Sequence, residues 1–152
     1  SKEEIIQKLY FKALKDMSTT YSLGGCILVL SKRKIFIYRE YNDLNKETQL
    51  LPGYNRLIWD NRFEIINNTK ISMKILPLGS VLNNSFYKNN YKINKKKIKS
   101  IPFQVRKTLP AIFTLEGLLY IPHLNISELN LLKIGIRSRT IDFFNKKYDN
   151  II

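Results

Sequence analysis

In the stretch KKKIKSIPFQVRKTLPAIFTLEGLLYI, from Lys95 to Ile121, a lysine run gives way to proline-punctuated turns and then to apolar residues. Lys95 to Ser100 reads as a short helix with Ile98 as its inward anchor. Phe103 to Thr108 reads as a second helix with Pro102 at its first position, where the missing N–H would have no helical acceptor anyway. Pro110 ends it. Ala111 to Thr114 and Leu118 to Ile121 then read as strands around Leu115, Glu116 and Gly117, and Gly117 can supply the positive φ of a tight turn. A β-hairpin carrying short basic helices is the expected result.

Working upstream, Ile5, Ile6, Leu9, Tyr10, Ala13, Leu14 and Met17 recur at helical spacing, which predicts an amphipathic helix from Lys2 to Met17. Ser18 to Gly25 reads as a breaker segment. Cys26 to Leu30 and Ile35 to Glu40 follow as a hairpin across the polar turn Ser31 to Lys34. Tyr41 to Gln49 is expected to be a loop, and Asn55 to Trp59, Arg62 to Ile66 and Lys70 to Leu76 are expected strands, the first two joined by Asp60-Asn61. Leu78-Gly79-Ser80 and the polar run Asn83 to Asn94 interrupt this pattern, so a boundary is placed there. The expected architecture is α+β. Residues 1–82 form a helix plus a β-rich subdomain, and residues 83–152 form a small basic subdomain of short helices packed on a hairpin. Trp59, Phe63, Leu76, Val105, Leu109, Phe113, Leu119 and Ile121 are the core candidates. Downstream, Ser127 is a candidate helix cap before Leu129, Leu131 and Leu132.

The chain has 152 residues, with 26 Lys and Arg against 12 Asp and Glu, a formal charge of +14 that attracts polyanions. RNA is favoured over anionic lipid as the partner. No apolar run approaches bilayer length, and Lys2, Glu3 and Glu4 do not open a signal peptide. A soluble cytoplasmic protein is the expectation. The competing explanation for the charge is compositional: Ile, Lys, Asn and Tyr accumulate together when a coding sequence is AT-rich, without any ligand.

Enzymatic chemistry finds little support. One cysteine, Cys26, and one histidine, His123, exclude a Cys/His zinc cluster or an intrachain disulfide. Neither glycine-rich phosphate-loop pattern occurs. Ser22-Leu23-Gly24-Gly25 precedes a strand and reads as the start of a hairpin. Cys26 reads as a small buried hydrophobe, His123 as a structural or surface residue, and Asp60, Glu64 and Glu116 as solvated carboxylates. No catalytic residue and no metal site is assigned.

The order Lys95-Lys96-Lys97-Ile98-Lys99, Pro102-Phe103, Arg106 to Pro110, the apolar strand, Gly117 and Tyr120-Ile121-Pro122 resembles the C-terminal domain of tRNA(Ile)-lysidine synthetases. Upstream, Leu23-Gly24-Gly25, Arg39-Glu40 and Trp59-Asp60-Asn61-Arg62-Phe63 resemble elements of one branch of that family, and the resemblance runs from about Leu14 to Leu124. Phe103 stands where many members have tryptophan. The resemblance implies a parent enzyme that uses ATP to activate the wobble cytidine of an isoleucine tRNA and then attaches lysine. The family's catalytic loop, Ser-Gly-Gly-x-Asp-Ser, belongs to an N-terminal domain and does not occur in this sequence. What it implies for this chain is a tRNA-positioning piece with no cofactor of its own and with homodimerisation left open. The alternatives are a free-standing basic RNA-binding module and a structural interaction domain. Lys88, Lys92, Lys95, Lys96, Lys97, Lys99, Arg106 and Lys107 are the candidate RNA-binding residues, with Arg106 expected near the start of its helix, exposed, or else paired with Glu116 or Asp142.

Overall fold

The computed structural model describes residues 1–15, 17–31, 34–53, 55–90, 95–117, 119–124, 126–127 and 134–139. Helix α1 spans Lys2–Leu14, capped by Ser1, whose Oγ accepts the Glu4 N–H. Its inward face carries the buried Leu9. Ile6, Tyr10, Phe11 and Leu14 stay exposed, so the apolar stripe is wider than the surface that covers it.

Strands β1 (Thr19–Leu23), β2 (Cys26–Ser31) and β3 (Lys34–Arg39) follow as one antiparallel sheet. The segment expected to break structure is therefore a strand over Thr19–Leu23. Its Thr and Tyr residues suit an extended backbone. Gly24 and Gly25, with φ of +57° and +74°, make the two-residue turn that pairs Leu23 with Cys26. The start of a hairpin expected at Ser22-Leu23-Gly24-Gly25 is thus present, and Cys26 is half-buried.

The next elements are β4 (Thr48–Leu50), β5 (Asn55–Trp59), β6 (Phe63–Asn67), β7 (Met73–Pro77), α2 (Leu78–Asn83), α3 (Ser85–Asn90), α4 (Lys95–Lys99) and α5 (Phe103–Arg106). They are followed by β8 (Pro110–Thr114), β9 (Leu119–Ile121), β10 (Ile126–Ser127) and β11 (Ile134–Ser138). Among the described residues, the strands after β3 form a five-stranded sheet, β10-β9-β8-β7-β4, and a three-stranded sheet, β11-β6-β5. The α+β class holds. Ser127 lies in β10 instead of capping a helix, and Leu129, Leu131 and Leu132 lie outside the described residues. Pro110 ends the α5 segment by opening β8. Residues 78–83, expected to interrupt, form α2.

The boundary expected between residues 82 and 83 falls between β7 and β8, which pair from Met73 with Thr114 to Pro77 with Pro110. The two stretches consequently share one sheet and one core. Every residue of β8 is buried, as in a strand covered on both faces. On one side the Tyr87 ring of α3 lies 4.8 Å from Phe113. The inner face of the smaller sheet adds Trp59, Phe63, Ile65 and Ile134 to the same core as Ile75, Ile112, Phe113, Leu119 and Ile121. The expected core residues are buried except Val105, which is half-buried in α5.

Candidate nucleic-acid interface

The lysine run forms α4 as its sequence predicts. Ile98 packs against the core while Lys96, Lys97 and Lys99 are exposed. Successive lysines on a helical turn diverge by about 100° each, so they cover a wide arc of surface. The side chains of Lys88 and Lys95 and the whole of Lys92 lie outside what the structure describes.

Arg106 is placed differently from expectation. It is the last residue of α5, half-buried, and its Nη1 donates to the Ile98 carbonyl at 3.2 Å. A cation against the final carbonyls of a helix is electrostatically favourable, so Arg106 fastens α5 to the end of α4. Its Nε is buried with no hydrogen-bond partner among the described residues. Its guanidinium lies 5.3 Å from the Phe103 ring. No described carboxylate pairs with it, and Asp142 lies outside the described residues.

Lys107 sits beside two rings, its Nζ 5.5 Å from Phe103 and 5.6 Å from Tyr41. Lys46 Nζ lies over the Tyr41 ring at 4.2 Å, and the Tyr41 hydroxyl bonds Ser80 Oγ at 2.8 Å. Gly79 makes this approach possible: its N–H donates to the Lys107 carbonyl at 2.9 Å, and a Cβ there would stand 2.7 Å from the Tyr41 ring and 2.9 Å from Lys107 Cβ. The outcome is an aromatic ring, Phe103, 60% exposed and flanked by cations. Tyr41 and Lys46 escaped the sequence reading because they come from a segment read as loop, and only tertiary packing brings them to α5.

Other motif residues hold the fold together. Asp60 and Asn61 take φ of 50° and 54° in the turn between β5 and β6. There Asp60 accepts from Arg39 Nε at 2.9 Å and Arg62 Nε at 2.6 Å. Arg62 Nη2 continues to the Thr108 carbonyl at 2.6 Å. Arg39 Nη1 donates to the Gly25 carbonyl. Arg39-Glu40, Trp59 to Phe63 and Arg106 to Pro110, distant in sequence, thus meet at one knot. Burial there pushes the Arg62 pKa down, against the raising effect of Asp60. Asp60 and Glu64, expected in solvent, are largely buried because arginines cover them.

His123 lies in a 3₁₀ turn, Pro122–Leu124, edge-on to Phe63 at 5.1 Å. Desolvation, then the nearby Arg62 charge, hold its pKa below the usual range. Among the described residues no group of three or more His, Cys, Asp or Glu side chains could hold a metal, and no helix is long and apolar enough to cross a membrane.

No family model matches the chain, and no solved structure matches it significantly. Curated relatives do. A tRNA(Ile)-lysidine synthase of Rickettsia bellii (strain RML369-C) is 30% identical over 145 residues, covering 88% of this chain and 30% of the relative. The enzyme of the same name from Rickettsia rickettsii (strain Sheila Smith) is 32% identical over 120 residues, 73% of this chain and 23% of the relative. That of Orientia tsutsugamushi (strain Boryong) is 25% identical over 122 residues, 78% and 27%. Across most of its own length, and less than a third of theirs, the chain is a relative of the tRNA(Ile)-lysidine synthases.

Proposed function

We propose that this chain is the tRNA-binding C-terminal part of a tRNA(Ile)-lysidine synthetase, and that it positions tRNA without itself catalysing ligation. In this reading, ATP use and the attachment of lysine to the wobble cytidine of an isoleucine tRNA belong to a separate N-terminal domain of a cytoplasmic parent enzyme. The names of its relatives support tRNA as the partner.

One observation carries the reading: the exposed lysine turn of α4 is fastened by Arg106 to α5, whose exposed Phe103 is flanked by Arg106 and Lys107. Lysines of this kind neutralise phosphates without reading sequence. An exposed ring ringed by cations suits an unpaired base, because every base has a face to stack and its strand brings phosphates alongside.

Binding of tRNA to Phe103→Ala tests this. Affinity for tRNA should fall by about 1–3 kcal/mol, the usual worth of one base stacked on an aromatic side chain. Affinity for a blunt RNA duplex, which offers no unpaired base, should hold. An equal loss for both, or none for either, would remove Phe103 from the interface.

A further inference from the structure

The segment between β3 and β4 brings a lysine from outside the basic run to the side of α5. Tyr41 opens a 3₁₀ turn, Tyr41–Asp43, and the Leu44 N–H closes it on the Tyr41 carbonyl at 3.2 Å. Leu44 is buried in the core, and Thr48 enters β4 opposite Ile75. The segment is therefore fixed at both ends, and it returns the exposed Lys46 over the Tyr41 ring, with Nζ 4.2 Å from the centroid. From the end of α5, Lys107 Nζ reaches the same ring at 5.6 Å and the Phe103 ring at 5.5 Å. The Tyr41 ring is itself tied down, its hydroxyl bonded to Ser80 Oγ at 2.8 Å.

What holds these two ammoniums is the informative point. The acids nearest Lys46 in sequence are engaged by other cations: Asp43 Oδ2 lies 3.6 Å from Arg39 Nη1, and Glu47 Oε2 lies 3.4 Å from Lys74 Nζ. Among the described residues no carboxylate comes within ion-pair distance of Lys46 or Lys107. A carboxylate that orients a cation also cancels its charge. An aromatic face orients a cation through its quadrupole and leaves the whole charge, and the N–H donors, for another anion. Tyr41 thus gathers two uncancelled charges beside Phe103, which is 60% exposed.

We infer that Lys46 and Lys107, held on the Tyr41 ring, bind the backbone phosphate of an RNA nucleotide whose base lies on Phe103. An ammonium serves a phosphate as a point charge, so position matters more than orientation. Lys46 and Lys107 touch the RNA, and Tyr41 is a positioning residue that acts through them. The site rests on the tRNA-binding reading above and adds to it a contact supplied by a segment that the sequence presents as loop.

Lys46→Gln removes one charge from an exposed side chain. When the 152-residue chain is titrated with tRNA at several salt concentrations, this variant should lower the magnitude of the log K against log salt slope by about 0.7–0.9, the value for one phosphate contact. Lys70→Gln, an equal loss of charge at another exposed position, should leave the slope unchanged. In a Phe103→Ala background, Lys46→Gln should cost much less affinity than in wild type, because both side chains grip one nucleotide. Tyr41→Leu, with folding checked by thermal melting, should weaken binding by about two- to fivefold, the worth of an exposed cation–ring contact, and Tyr41→Phe should recover most of that loss. A wild-type slope for Lys46→Gln, an equal change in Lys70→Gln, or strictly additive losses with Phe103→Ala would each overturn the site. Failure of the wild-type chain to bind tRNA would instead sink the tRNA-binding reading, and weakened binding by Phe103→Ala without any effect of Lys46→Gln would leave that reading standing.

Discussion

Four arginines, Arg39 at the end of β3 and Arg56, Arg62 and Arg137 on or beside the sheet β11-β6-β5, and the lysines of α4 show two ways of presenting positive charge. Arg39 and Arg62 are locked onto Asp60, and Arg56 and Arg137 onto Glu64, each pair of cations sharing one largely buried carboxylate. Lys96, Lys97 and Lys99 of α4 are exposed on a helix held from beneath by Ile98 and at its end by Arg106. Guanidinium, planar and weakly hydrated, tolerates partial burial and several directed bonds, whereas ammonium keeps its water. The first arrangement therefore contributes to stability and fixes geometry, and the second contributes charge with little consequence for the fold.

Asp60→Asn breaks that contrast most forcefully. The substitution keeps a residue that tolerates the left-handed turn, but it leaves Arg62 half-buried without its counter-charge and Arg39 with only the exposed Asp43, whose Oδ2 lies 3.6 Å from its Nη1. Unfolding in denaturant should show a loss of about 2–4 kcal/mol, near the range for removing one partner of a buried pair. A loss below about 0.5 kcal/mol would show that the knot is incidental. Glu64→Gln should cost less, about 1–2 kcal/mol, because its two arginines are mostly solvated and an exposed pair contributes little. Equal costs at the two sites would erase the distinction between a buried knot and a surface clamp.

How much of this was legible follows from how each feature is encoded. The α4 helix, the β8–β9 hairpin and the inward Ile98 were readable because period, proline and glycine act over a few neighbouring residues. Strand β1 hides in the sequence because Ser18 to Gly25 is polar enough to read as one breaker segment, although only Gly24 and Gly25 turn the chain. Arg106 was misplaced because helix length decides whether a residue starts or ends a turn, and α5 stops at Arg106 itself. The sharing of Glu64 by Arg56 and Arg137 was invisible. It needs Arg56, Glu64 and Arg137 to be neighbours across three strands, and register between distant strands is set by the whole core. The shared core across residues 82 and 83 was hidden for the same reason, since a polar run in sequence says nothing about which strands pair on either side.

The smallest expected effect on stability belongs to the residues on which the functional account leans most. Replacing Lys96, Lys97 and Lys99 together with alanine removes exposed charge from a helix whose anchor, Ile98, is untouched, so stability should change by no more than about 0.5 kcal/mol. Titration of this variant and of wild type with tRNA, each over a range of salt concentrations, is the most direct test that α4 is an RNA surface. Two lost phosphate contacts would lower the magnitude of the log K against log salt slope by about 1.4–1.8. Affinity should fall to a similar degree for an isoleucine tRNA and for an unrelated one, since phosphate contacts do not read sequence. A folded variant with the wild-type slope and affinity would contradict the account.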